Sequence, residues 1–398
     1  MTAMSRATDK ITDYRPIGAG IFLYMLAPLG MTLIPLVVGA AATDLGFSDS
    51  EVGYLASADL AGLALVSASA AFWIRKLSWH LVAGAALAVI ILGNLLSVAA
   101  DSFTSLCVAR FITEMGSGAI FSLALVTLGE TKTPDRFYSF GIGMTIALSV
   151  GVFVWFPSLI AIYGIDTIFI FHGVVAAIVI PGIFWLPKAV GIASQSGSGA
   201  QLKDYVPLFL CFIGFGCFMV AEGGIWSYIE RIGAGSGLDA DYVGQVLAAT
   251  QVASLAATML SSYISIRFGR VWPIGLGMFG FLISLYLVQI PTADGYLIGA
   301  CLSQFAWVFV LPYLLLLCVE LDPSGRFYVL TTAFKMSGFA LGPAIVATLI
   351  HTGGQAQDAV QTVTQDFSVV SWVGTIFLSL SLVLLLPLAS RLDRRVSS

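Results

Sequence analysis

Five ionisable side chains stand inside long apolar stretches of this chain: Asp59, Arg110, Glu114, Glu222 and Lys335. A charge in such surroundings is expensive unless it faces a partner or a cavity, so each is a candidate for function. Two kinds of chemistry are open to them. A buried cation offers a carboxylate a charge-assisted hydrogen bond, and a buried carboxyl can load and release a proton as its surroundings change. Arg110 and Glu114 are four residues apart and share a helix face, while Asp59 comes to a similar depth in another stretch. Arg110 is therefore either neutralised by Asp59 or offered to a ligand, and Glu114 either bridges to Arg110 or carries a proton. Lys335 lies in Phe334-Lys335-Met336-Ser337-Gly338-Phe339-Ala340-Leu341-Gly342-Pro343. Gly338 and Gly342 there have the spacing of close helix packing, and Pro343 can kink the helix. Lys335 would then be turned to a cavity, with a pair to Glu222 as the alternative. The expected roles are anion binding for Lys335 and Arg110, and proton coupling for Glu114, Glu222 and Asp59. His172 is expected to be peripheral.

Around these charges, Gln304, Trp307 and Leu311 share one helix face, with Tyr313 nearby. Tyr24, Pro28, Met31 and Thr32 lie in the first apolar stretch, Gln251 in the eighth, and Trp155 just before Pro157 in the fifth. Trp226 and Tyr228 read as members of an interfacial aromatic belt. The residues chosen as a substrate site are Lys335, Arg110, Trp307, Gln304, Tyr24, Trp155 and Gln251. Aromatic planes, a few polar groups and two cations suit an organic anion, an aromatic or other carboxylate. Enzymatic chemistry finds no footing: three histidines give no catalytic triad, no metal-ligand spacing appears among five cysteines, and no phosphate loop is present. No cofactor, metal or nucleic acid is expected.

The elements that hold these groups are membrane helices. The chain is 58% hydrophobic and 10% charged, with a mean hydropathy of +0.96, whereas soluble domains are about one quarter charged. A spanning helix needs about 20 apolar residues, and twelve such segments fit: 16–40, 50–74, 80–100, 103–129, 137–162, 165–187, 205–230, 241–266, 271–291, 294–319, 327–350 and 368–388. Fifteen of the eighteen Lys and Arg then fall on one side, among them Arg75, Lys76, Lys132, Arg136, Arg267, Arg270, Arg326 and Arg391. That bias places both termini in the cytoplasm, and the first apolar stretch is too long for a cleaved signal peptide. The expectation is an all-α, multi-pass membrane protein, a monomer in a bacterial inner membrane, with lipid, protons and a small anionic molecule as its partners.

Shifted by about 190 residues, the chain meets itself: Asp13-Tyr14-Arg15-Pro16 with Asp204-Tyr205-Val206-Pro207, Ser50-Glu51-Val52-Gly53 with Asp241-Tyr242-Val243-Gly244, and Glu130 through Arg136-Phe137-Tyr138 with Glu320 through Arg326-Phe327-Tyr328. Each copy holds six spans and both run the same way. The expected organisation is an N-terminal six-helix bundle over 1–187, a cytoplasmic linker over 188–204 around Gln195-Ser196-Gly197-Ser198-Gly199, and a C-terminal six-helix bundle over 205–398.

On these features the chain resembles the major facilitator superfamily over nearly its whole length. Arg110-Phe111-Ile112-Thr113-Glu114-Met115-Gly116-Ser117-Gly118-Ala119 is similar to that family's fourth-helix pattern, although Glu114 stands where a small residue is usual. Arg267-Phe268-Gly269-Arg270 resembles the family's basic loop, whose first-half counterpart, Arg75-Lys76-Leu77-Ser78-Trp79, lacks the glycine. The resemblance implies a gating charge network on the cytoplasmic side, formed by Glu130, Arg136, Glu320, Arg326, Arg267 and Arg270. It also implies secondary transport by alternating access, here of an organic acid moved in symport with protons. The alternative is a drug/proton antiporter, although the Gly-Pro pair usual in the fifth span of such exporters is absent there. A sugar transporter and a membrane transceptor come behind.

Overall fold

The computed structural model describes residues 11–187, 205–322, 328–357 and 367–397. The linker at 188–204 and Arg326 lie outside the described residues. Every element of length is helical: α1 (Tyr14–Leu26), α2 (Leu29–Asp44), α3 (Asp49–Trp73), α4 (Trp79–Val98), α5 (Phe103–Gly129), α6 (Pro134–Tyr163) and α7 (Asp166–Val179) build the first half. The second half holds α8 (Val206–Gly235), α9 (Ala240–Ile264), α10 (Val271–Leu287), α11 (Ala293–Glu320), α12 (Tyr328–Gln357) and α13 (Ser368–Ser397). Helices α1 and α2 together make one span, and α7 is extended by a 3-10 turn over Ile180–Trp185. Eleven stretches are long and apolar enough to cross a bilayer. The 17-residue α10, about 26 Å long, completes an all-α fold of twelve spans.

Local sequence explains the helix ends. The side chains of Ser48, Ser102, Asp239 and Thr292 cap α3, α5, α9 and α11 by accepting backbone N–H groups, which satisfies donors the first turn leaves open. Gly164, at φ 75°, ends α6 in a conformation that glycine alone adopts cheaply. The expected first span of 16–40 is divided: α1 stops at Leu26, and Pro28, which has no N–H to donate, starts α2. Among the other spans, α10 ends at Leu287 rather than 291, while α8, α12 and α13 run past their expected ends of 230, 350 and 388 to Gly235, Gln357 and Ser397.

Each half is a bundle, and the halves meet chiefly where α3 packs on α12, α6 on α9 and α2 on α8. The small residues of α12 serve another contact, within the second half. A Cβ on Gly338 would overlap the backbone of Gly216, and one on Gly342 would overlap Val220 and Gly224, so α12 lies directly on α8. That contact turns the faces of both helices, and with them Lys335 and Glu222, into fixed directions.

Candidate functional site

A cavity of about 340 Å³ opens between the halves, lined from α1, α2, α6, α8, α9, α11 and α12. Of the residues expected at a substrate site, Tyr24, Gln251, Gln304 and Trp307 line it, as does Glu222. Its polar geometry follows from what each group can donate. The Trp307 indole can only donate, and it gives its N–H to Gln304 Oε1 at 2.8 Å. Gln304 is thereby turned so that its Nε2 donates to Glu222 Oε1 at 2.9 Å. Glu222 Oε2 is buried and has no hydrogen-bond partner.

The Thr and Ser hydroxyls of the wall have spent their protons. The hydroxyls of Thr32, Thr145, Ser254 and Thr258 donate to carbonyls of Pro28, Gly141, Thr250 and Ser254 on their own helices. The Trp226 indole donates to the Met31 carbonyl at 3.1 Å. What lines the space is therefore one carboxyl, the amide of Gln251, and the aromatic side chains of Tyr24, Trp226, Trp307 and Phe339. Among the described residues no cation lines it.

Four expectations need correction. Arg110 is 2% exposed and locked inside the first half. Its Nε donates to Asp59 Oδ1 at 3.0 Å, its Nη1 to Asn94 Oδ1 at 3.0 Å, and its Nη2 to Asp59 Oδ2 and Glu114 Oε1, both at 3.3 Å. Four of the five guanidinium N–H groups are thereby taken, and Asp59, Arg110 and Glu114 stand together away from the cavity. Trp155 is 71% exposed on the outer surface of α6, where lipid would lie. Lys335 does not line the cavity. It is half-buried, one helical turn from the cavity residue Phe339, and no ion pair joins it to Glu222. Finally, Trp226 and Tyr228 are buried between the halves rather than set in an interfacial belt, with Tyr228 donating to the Asp49 carbonyl at 2.7 Å.

Two members of the Arg110 cluster were not foreseen. His172 is buried with Nδ1 3.9 Å from Glu114 Oε1, so it is not peripheral. Asn94 joins α4 to the cluster, its own Nδ2 anchored on the Ile90 carbonyl. The one signal available was their polarity in otherwise apolar stretches. The Phe169 ring covers the guanidinium at 5.2 Å from its centroid.

At the end of the bundle that carries both termini, Arg270 holds the described part of the second-half loop network together. Arg270 pairs with Glu320 and, at 2.9 Å, with Asp393, whose carboxylate also accepts the backbone N–H of Arg270 and Val271. Among the described residues of the first half no such ion pair is formed at this end. Glu130 has both oxygens buried and unpartnered, and burial pushes its carboxyl above the usual range. Arg136 and Arg267 lie over the rings of Phe140 and Tyr263.

The hydrogen bonds joining the halves among the described residues gather toward the opposite, far face. They are Arg231 to Asp49 at 3.1 Å, Tyr228 to Asp49, Ser158 to Asp241 at 2.9 Å, Tyr54 with Thr348 at 3.0 Å, Ser57 to the Ala340 carbonyl, and Trp226 to Met31. The seam is closed there, and the cavity extends toward the terminal face between Thr145, Thr258, Leu311 and Leu315.

Comparison with known proteins adds a family and a fold. The family described as Major Facilitator Superfamily matches residues 20–346. The uncharacterized MFS-type transporter YbcL of Bacillus subtilis (strain 168) is 25% identical over 268 residues, which is 64% of this chain and 65% of that relative's length. The crystal structure of the POT family transporter PepTSo superposes with a TM-score of 0.76 at 10% identity, covering 97% of this chain and 99% of that one. The partially occluded, inward-open xylose transporter XylE from E. coli does so with a TM-score of 0.69 at 12% identity, covering 93% and 96%.

Proposed function

Because the chain belongs to the major facilitator superfamily, a transporter superfamily, we propose that it is a proton-coupled secondary transporter for a small, largely apolar cation. One observation carries this reading: Glu222 is the single charged side chain on the cavity wall among the described residues, and of its two oxygens only Oε1 receives a hydrogen bond, from Gln304. An ionised carboxylate in so dry a place is expensive unless a counter-charge arrives. A proton or a substrate ammonium can each supply it, and they exclude one another at the same oxygen. Aromatic faces add cation–π attraction for the same ligand. That exclusion is the coupling of an antiporter, cation out for proton in.

The charge bias supports a direction, with the terminal face in the cytoplasm of a bacterial inner membrane. The cavity then faces the cytoplasm, and the described far seam is its periplasmic closure. One monomer suffices, since the cavity is complete between the two halves of a single chain.

The organic-anion reading keeps one support. Lys335 is one turn from Phe339 and could meet a carboxylate that reached past the cavity toward the terminal face. The two readings separate in proteoliposomes. Of matched aromatic ammonium, neutral and carboxylate compounds, the ammonium series should drive counterflow, and its net uptake should follow an outward proton gradient. Counterflow by the carboxylates alone would reverse the choice.

A further inference from the structure

A second carboxyl lies on the same face of α8, two turns beyond Glu222 with Trp226 between them: Glu230. It borders a smaller cavity of about 90 Å³ at the far-face end of the seam, lined by Leu36, Gly39, Thr43, Pro157, Val243 and Gly244 among others. Its Oε2 is buried and has no hydrogen-bond partner. Its carboxyl carbon lies close enough to where a Cβ of Gly39 would be to overlap it, so α2 and α8 meet this closely because residue 39 is glycine. No substrate-sized ligand fits this space. A proton does.

We infer that Glu230 is a far-side proton site whose occupancy governs closure of the seam between α2 and α8. The argument is one of cost. Closing the seam strips water from the carboxyl and gives Oε2 no donor in exchange, which a neutral acid tolerates far better than an anion. The charged and titratable neighbours do not remove that cost. Arg231, next on α8, is committed to Asp49 of α3 at 3.1 Å. Tyr296 of α11 gives its hydroxyl to the Ile229 carbonyl at 2.9 Å. Asp241 of α9 accepts from Ser158, and Tyr242 gives its hydroxyl to the Ala293 carbonyl. Facing the site, α2 contributes Gly39 and Thr43, whose hydroxyl is turned to the Gly39 carbonyl, and α6 contributes Pro157 and Ile160. By linkage, acid on the far side favours the closed seam, and removal of the proton favours its opening. The site needs no cargo, so it stands apart from the ligand proposed for Glu222.

The test is the distance across the far face. Spin labels on Leu45→Cys and Gly235→Cys, in a background with the five native cysteines replaced by alanine, would be measured in lipid nanodiscs without substrate. Raising the pH from about 5 to about 8 should move the wild-type distribution from short toward long distances. Glu230→Gln should stay short throughout, and Gly39→Ala should stay long until Glu230→Ala is added. A wild-type distribution that ignores pH, or a Glu230→Gln protein that titrates as the wild type does, overturns the inference. Substrate binding at Glu222 is read separately, so failure of one assignment leaves the other measurable.

Discussion

The carboxyl of Glu114 rests against Gly30, at the start of α2, and a methyl group at residue 30 would overlap it. The contact ties the ionic cluster of the first half to the segment just after the break at Pro28, where the neighbouring Met31 and Thr32 line the cavity. Glu114 thus has the room that a larger side chain opposite would deny it.

Gly30→Ala should therefore lower stability by about 1–3 kcal/mol, the usual penalty for overfilling a packed site. Thermal unfolding in detergent would show it as a lowered midpoint. Adding Glu114→Ala should recover much of the loss. An unchanged midpoint in Gly30→Ala alone would mean that the carboxyl does not occupy that place.

Arg110 holds two carboxylates and an amide, so Arg110→Ala strands Asp59 and Glu114 without their counter-charge. The expected loss is about 3–5 kcal/mol, enough to prevent accumulation of folded protein. Asp59→Asn should cost less, since Glu114 still faces the guanidinium. Where Arg110→Lys yields folded protein, ligand affinity should match the wild type. Weakened affinity at normal stability would return Arg110 to the substrate site.

Lys335→Ala and Trp155→Leu should each leave the apparent substrate constant within about threefold of the wild-type value. Neither residue lines the cavity, and Trp155 faces outward. Counterflow titrations on the two variants check this. A loss of about tenfold or more in Lys335→Ala, with stability intact, would favour the anion reading.

Much of the fold was legible, because apolar length and the sidedness of Lys and Arg are one-dimensional signals. The break at Pro28 was less so, since an apolar run reads straight through it. Within the site, Gln304 and Trp307 were found because their i, i+3 spacing makes them neighbours on any helix. Lys335 was misplaced because its direction depends on how Gly338 and Gly342 seat α12 on α8, which no spacing within α12 reveals. Arg110 has its partners at Asp59 and Asn94 on other helices, so choosing between ligand and ion pair required the tertiary contacts. Glu230 drew no notice because an acid near a helix end reads as a solvated edge residue, and only its contact with Gly39 on α2 shows that the seam covers it.

The central claim is that Glu222 is the shared site of cation and proton, and binding of an aromatic ammonium as a function of pH tests it most directly. Isothermal titration should show wild-type affinity falling as pH is lowered, with proton release on binding that scales with the protonated fraction. Glu222→Gln should bind about 10- to 100-fold more weakly, the worth of a charge-assisted hydrogen bond of about 1.5–3 kcal/mol, and without the pH dependence. A Glu222→Gln protein that binds the ammonium as tightly as wild type, with the same proton release, would contradict the account.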